Sequence, residues 1–192
     1  MAAVRLYDTA RGEIVAFEPG DEVSVYVCGI TPYDSTHLGH ANTYLTYDLL
    51  IRRLEDRGHT VRLVRNITDV DDSILPKARE LGVDFLELAA AETARFHGDM
   101  EALDTRPVDW EPHATQWVEQ MVELIGTLDD NGHVYAVDGT VFFDTTTFDS
   151  FGAVSGYDEA TMLELARDCL LYTSDAADES SSVWVWVVGG WW

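Results

Sequence analysis

The apolar positions of this chain fall into two rhythms. Val25, Tyr26 and Val27 form a run of β-formers that Gly29 and Pro32 end, which predicts a buried strand. Tyr44, Tyr47, Leu50, Ile51 and Leu54 then recur at helical spacing. They predict a helix from His37 to about Arg57 that packs on a sheet, with Ser35 or Thr36 as its cap and Gly58 as its stop. Val61 to Asn66 reads as a second strand. Strand, helix and strand with so long a connection indicate a parallel βαβ unit, and the fold class is α/β.

The flanking stretches are less regular. Residues 4 to 8 suggest a short leading strand, and Arg11 to Pro19 a loop. Asp84 to Asp104 predicts a long helix, with Asp84 and Glu87 in a capping-box pattern and an apolar stripe of Phe85, Leu88, Phe96, Met100 and Leu103. Ala114 to Leu128 predicts another, with Trp117, Met121, Val122 and Ile125 inward and Gly132 beyond its end. Val134 to Phe143 alternates around Asp138-Gly139, a hairpin signal. Asp158 to Arg167 begins a further helix.

The chemistry concentrates between the first predicted strand and its helix. Cys28 stands at the strand's carboxyl end, and His37 and His40 stand three apart where the helix begins. In an open α/β sheet, ligands bind at that edge. A helix N-terminus presents unpaired N–H groups to phosphate, and Gly39 leaves room for a flat ligand against the backbone. An isolated His-x-x-His reads equally well as a cap and a surface residue, but the surrounding loop favours a phosphate site. Asp69, Asp71 and Asp72 follow the second strand. They lack the Gly and the distant Glu of an EF-hand loop, so they read as structural. His59, His97, His113 and His133 have no partner spacing and read as surface or packing residues.

His37-Leu38-Gly39-His40 resembles the His-Ile-Gly-His signature of class I aminoacyl-tRNA synthetases, which activate amino acids with ATP. Cys28-Gly29 narrows the resemblance to the cysteine-activating branch. That branch holds cysteinyl-tRNA synthetases and the ligases that join cysteine to glucosaminyl-inositol in mycothiol biosynthesis. The run from Cys28 to Ala41 is more similar to the ligases. The synthetases typically read Cys-Gly-Pro-Thr-Val-Tyr-Asp, with Arg soon after the second His, where this chain has Ala41-Asn42. The resemblance covers about residues 4 to 168.

It implies the N-terminal part of a Rossmann-like (HUP-type) class I catalytic domain. Residues 1–72 would be the first half of the nucleotide-binding fold and 73–168 a mainly helical connective insertion. It implies that His37 and His40 are catalytic, stabilising charge on the α-phosphate. Cys28, Gly29, Ile30, Thr31 and Thr43 would position the adenylate, with Asn66, Ile67 and Thr68. Cys28 would also be one protein ligand of a zinc ion that grips the substrate thiol, a soft donor. ATP is implied as substrate with Mg²⁺, together with L-cysteine and glucosaminyl-inositol, in a monomer. The class's second signature, a lysine-rich loop, has no counterpart here, since the only lysine is Lys77 in a Pro-Lys-Ala-Arg context.

Composition adjusts this picture. Twelve basic residues stand against 35 acidic ones, a net charge of −23, which argues against a broad nucleic-acid surface and makes tRNA the weaker acceptor. Two cysteines make no disulfide framework. No apolar run is long enough to span a membrane, and the N-terminus lacks a basic-plus-apolar signal, so the expected compartment is the cytoplasm. From about Cys169 the chain has no Lys or Arg, and four of its six tryptophans fall between 184 and 192. Residues 169–192 therefore read as a non-native tail, an out-of-frame or adaptor-derived translation ending a truncated gene. On that reading the 192-residue chain itself is expected to be inactive. Two other readings remain open, a cysteinyl-tRNA synthetase and a non-catalytic nucleotide-binding module.

Overall fold

The computed structural model describes residues 3–158 and 160–164, and they form two units. The expected tail at 169–192, and the helix from Asp158 beyond residue 164, lie outside the described residues.

The unit over 19–117 holds every buried apolar side chain among the described residues, from Val23 to Met100. Its frame is a strand over Glu22–Ile30 (β3), a helix over Leu38–Glu55 (α1) and a strand over Thr60–Ile67 (β4). β3 and β4 pair in parallel, with Val25 opposite Leu63 and Val27 opposite Arg65, and the register shifts between Val27 and Ile30. This is the βαβ unit that the sequence predicts.

β3 is not buried on both faces as its apolar run suggests. Val23, Val25 and Val27 are buried, whereas Ser24, Tyr26 and Cys28 are exposed. Alternate residues of a strand face opposite ways, and only one face of this pair is packed. Tyr44, Tyr47, Ile51 and Leu54 are the buried apolar residues α1 contributes, with Asp48 buried beside them and Leu50 half-buried. Burying each such side chain stabilises the fold by about 1.5–3 kcal/mol. The regular helix stops at Glu55, two residues short of Arg57. The chain then turns through Gly58 at φ +93°, whose N–H donates to Glu55 O while that of His59 donates to Leu54 O. That bond pair needs a left-handed residue, so the predicted stop at Gly58 holds.

Two helices follow, Ile74–Leu81 (α2) and Phe85–Ala102 (α3). Asp84 caps α3, its carboxylate accepting from the N–H groups of Leu86 and Glu87. Of the predicted stripe, Leu88, Phe96 and Met100 are buried and Leu103 is exposed. Ile74, Ala78 and Leu88 pack together with Tyr33 and Phe85.

After α3 the chain returns to the sheet, which the sequence does not announce. Val64 bridges Trp110 and Ile67 bridges His113, both in parallel. Arg65 and Ile67 donate their N–H groups to Trp110 O and Pro112 O. Pro107 and Pro112 break any strand pattern here, so no run of β-formers marks it.

The other unit comprises 3–18 and 118–164 as described. Its leading strand Arg5–Asp8 (β1) pairs antiparallel with Glu13–Ala16 (β2), where the sequence reading expects only loop. Gly12 at φ +68° makes the turn, and Ile14 and Val15 suffice for a short strand. The helix expected over 114–128 is a 3₁₀ turn at Ala114–Trp117 followed by Val118–Asp130 (α4). Trp117, Met121, Val122 and Ile125 are all exposed, contrary to their predicted inward facing. An apolar helical stripe shows which face can be covered, but not that something covers it. Val134–Val137 (β5) and Thr140–Phe143 (β6) form the predicted hairpin, with Asp138 at φ 52° and Gly139 at φ 84° as its two turn residues.

Candidate active site

The sequence-predicted site residues all lie in the unit over 19–117. They come from the carboxyl ends of β3 and β4 and from the start of α1.

At the start of α1 the cap is His37 itself, not Ser35 or Thr36. Its backbone is extended (φ −132°, ψ 176°), and its Nδ1 accepts from the Gly39 N–H at 3.0 Å. His40 Nδ1 accepts in return from the His37 N–H at 3.3 Å. The two histidines thus form a reciprocal box of the kind usually built from Ser/Thr and Glu/Gln. A backbone N–H can only donate, so both Nδ1 atoms are acceptors. Each neutral ring therefore carries its proton on Nε2. The ring centroids are 4.2 Å apart. Gly39 also differs from expectation. A Cβ there would stand 2.7 Å from His37 Cε1 and 2.8 Å from its Nδ1, so the missing side chain makes room for the imidazole cap.

Ser35 and Thr36 bond away from the helix they were expected to cap. Arg95 donates to Ser35 Oγ at 2.7 Å, and Thr36 Oγ1 donates to Asp99. Lys77 pairs with Asp34 at 3.7 Å. Three successive loop residues before His37 are therefore tied to α2 and α3.

At the strand ends, Asn66 is the hub. Its Oδ1 accepts from the Gly29 N–H at 2.9 Å and from the Tyr26 hydroxyl at 2.7 Å. Its Nδ2 donates to Thr68 Oγ1 at 3.0 Å, and the Thr68 N–H donates to Ile30 O at 2.9 Å. Cys28 is exposed with a free thiol, on the same strand face as Tyr26. Burial and the nearby Cys28 push the Tyr26 hydroxyl above the ordinary tyrosine range. Tyr44, one turn of α1 beyond His40, donates to Cys28 O at 3.2 Å. Burial pushes its hydroxyl well up, so it stays a donor. Thr31 and Thr43 are half-buried.

Beneath the site lies an ionic cluster that sequence reasoning missed. Arg65 is buried, donates twice to Glu111, and lies over the rings of Phe96 at 4.5 Å and Tyr44 at 5.2 Å. His97 Nε2 sits 2.5 Å from the other Glu111 oxygen. Asp69 is buried and accepts from the Thr115 N–H and hydroxyl, with His113 Nδ1 at 3.0 Å. Its structural role agrees with expectation. The four histidines read as partnerless each have a partner, since His59 meets Gly20 O and His133 meets Thr147. Their partners lie 14 to 44 residues away, beyond any spacing rule.

Among the described residues no three His, Cys, Asp or Glu side chains converge as a metal site. Cys28 alone does not make a zinc site. Among the described residues no helix is long and apolar enough to cross a membrane.

The chain is 49% identical over 164 residues to the L-cysteine:1D-myo-inositol 2-amino-2-deoxy-alpha-D-glucopyranoside ligase of Streptosporangium roseum, covering 85% of this chain and 40% of that protein. The ligase of the same name from Nocardia farcinica is 47% identical over 166 residues, with shares of 84% and 40%. The chain thus spans about 40% of the length of these relatives. Among solved structures, Mycobacterium tuberculosis methionyl-tRNA synthetase in complex with methionyl-adenylate matches with a TM-score of 0.54 at 20% identity, over 65% of this chain and 29% of that one. The Agrobacterium radiobacter K84 leucyl-tRNA synthetase complex matches with a TM-score of 0.52 at 21% identity, over 58% and 15%. These two likenesses carry the fold, a Rossmann-like α/β domain of the class I synthetase type. A family profile described as tRNA synthetases class I (C) catalytic domain matches residues 15–180, most of the chain, and this chain belongs to that family.

Proposed function

We propose that this chain is the N-terminal part of an ATP-dependent, AMP-forming cysteine ligase. In the whole protein, cysteine's carboxylate attacks the α-phosphorus of ATP, giving cysteinyl-adenylate and releasing pyrophosphate. The amine of glucosaminyl-inositol then attacks the acyl carbon and expels AMP, forming an amide. The observation that carries this reading is the paired imidazole box at the start of α1, in a chain 49% identical to a cysteine:glucosaminyl-inositol ligase.

Each residue has a role in that proposal. His37 and His40 present Nε2–H donors as charge builds on the α-phosphate, beside the partial positive end of α1. Gly29, Ile30, Thr31 and Thr43, with Asn66, Ile67 and Thr68, hold the acyl-adenylate in place. Cys28 would be one protein ligand of a zinc ion that grips the substrate thiol, and the remaining ligands are not among the described residues. ATP enters with Mg²⁺. Residues 1–72 form the first half of the catalytic domain, and 73–168 form a connective region whose 109–113 stretch returns to the sheet. The protein works as a cytoplasmic monomer. The 192-residue chain alone turns over little or nothing, because it lacks the lysine-rich loop.

The test is cysteine-dependent ATP–pyrophosphate exchange, followed by AMP release, in a protein spanning the relatives' full length. AMP release driven by glucosaminyl-inositol and not by tRNA is expected. Release driven by tRNA selects a cysteinyl-tRNA synthetase instead, and no adenylate at all leaves a nucleotide-binding module. Exchange by the 192-residue chain itself would contradict its proposed inactivity.

A further inference from the structure

We propose that Tyr26 is a positioning residue, which acts through Asn66 to fix the Thr68 hydroxyl as a hydrogen-bond donor to the bound acyl-adenylate. The proposal rests on the reading of Thr68 as part of the adenylate pocket.

The argument runs on the direction of each bond. The Gly29 N–H lies 2.9 Å from Asn66 Oδ1, and a backbone N–H can only donate, so the side-chain amide has one allowed orientation. The Tyr26 hydroxyl donates to the same oxygen at 2.7 Å. Both acceptor directions of that oxygen are then used, and Nδ2 is turned toward Thr68 Oγ1 at 3.0 Å. An amide nitrogen cannot accept, so the Thr68 hydrogen must point elsewhere. Among the described residues nothing takes it. Thr68 itself is held by its N–H on Ile30 O at 2.9 Å. The relay therefore runs one way, from Tyr26 to Asn66 to Thr68 to an oxygen acceptor of the ligand.

Register explains why the residue at 26 can do this. Tyr26 pairs with Val64, so Asn66 is two residues along the partner strand and on the same face. Tyr26 is 41% exposed, so its ring contributes little packing that loss of the hydroxyl would disturb. Without that hydroxyl, Asn66 keeps the Gly29 bond and loses one of two anchors. The amide is then free to rock, and the Thr68 hydroxyl with it.

The test uses Tyr26→Phe, Thr68→Val and both together, with NMR on the 192-residue chain and analogue binding on a protein of the relatives' full length. By NMR, Tyr26→Phe is expected to shift both Asn66 Nδ2 proton signals and to speed their solvent exchange. Its affinity for a non-hydrolysable cysteinyl-sulfamoyl adenosine should fall roughly threefold to tenfold, the loss of one modest hydrogen bond. In the Thr68→Val background the same change should have no further effect, because the relay has lost its end. Unchanged Asn66 signals in Tyr26→Phe would overturn the proposal, as would an equal affinity loss in both backgrounds. If a protein of the relatives' full length does not bind the analogue while the Asn66 signals still respond to Tyr26→Phe, the positioning of Thr68 stands and the adenylate reading fails.

Discussion

The backbone carbonyl of Asn66 occupies the space that a side chain on Gly29 would need: an added Cβ would stand 1.3 Å from Asn66 O and 2.5 Å from its carbon. No real contact is that close, and the obstacle is backbone, which cannot swing aside. This close approach falls where the register of β3 and β4 shifts, between Val27 and Ile30. Gly29→Ala should therefore cost about 3 kcal/mol or prevent folding, the upper range for overpacking. Urea denaturation followed by far-UV circular dichroism reads this directly, and a loss under 1 kcal/mol would show that the strands part easily here.

Arg65 and Glu111 have side chains only 10% and 14% exposed. Removing one partner of such a pair leaves a buried charge unmatched, which typically costs about 3–5 kcal/mol. Glu111→Ala should lie in that range, since Arg65 would keep only the rings of Phe96 and Tyr44. Glu111→Gln keeps the shape and one acceptor and should cost less. A loss in Glu111→Gln as large as in Glu111→Ala would show that the negative charge carries the whole interaction, and a loss under about 1 kcal/mol in both would show that the pair is unimportant.

Acid should release the 109–115 stretch before the rest of its unit. Burial pushes the Asp69 carboxyl up, but bonds from the Thr115 hydroxyl and N–H and from His113 outweigh it, and the net result is a carboxyl below the ordinary range. Asp109 is also held low, by Arg106 and by the Leu63 N–H. A carboxyl depressed in the folded state stabilises it above the unfolded value of about 3.9. That contribution disappears as pH falls from there through the folded value. The amides of Arg65 and Ile67, bonded to Trp110 O and Pro112 O, should lose hydrogen-exchange protection below about pH 4. The Ile51 amide, inside α1, should keep its protection. Simultaneous loss at all three would mean global unfolding instead.

Much of this fold is readable from side-chain spacing. The βαβ unit, the stops at Gly58 and Gly132, the Asp84 cap and the turn at Asp138-Gly139 are all local, and each depends on a few adjacent residues. What the sequence conceals is non-local. The 109–113 stretch joins the sheet through backbone bonds and prolines that no periodicity marks. Arg65 and Glu111 are 46 residues apart, and nothing in either neighbourhood names the other. The exposure of Met121 and Ile125 is likewise a property of what surrounds α4, not of α4 itself. At the candidate site the residue types were legible and their bonding was not, because cap lists favour Ser35 and Thr36 over an imidazole.

His37 combines two tasks that substitutions can separate. As the cap of α1 it accepts the Gly39 N–H; as a proposed catalytic residue it offers Nε2–H to phosphate. Gly39→Ala would press a methyl group on the His37 ring at under 3 Å, and the ring can yield because it is the end of a side chain. The fold should survive with a cap lost, about 1 kcal/mol. Cysteine-dependent ATP–pyrophosphate exchange, in a protein of the relatives' length, should fall by roughly 10²-fold as the imidazole leaves its place. His37→Ala should lose both cap and rate to a similar degree. His37→Asn is the discriminating variant, because asparagine caps helices well and carries no imidazole. It should recover the melting temperature while exchange stays low, and exchange at the parent rate in His37→Asn would reduce His37 to a cap.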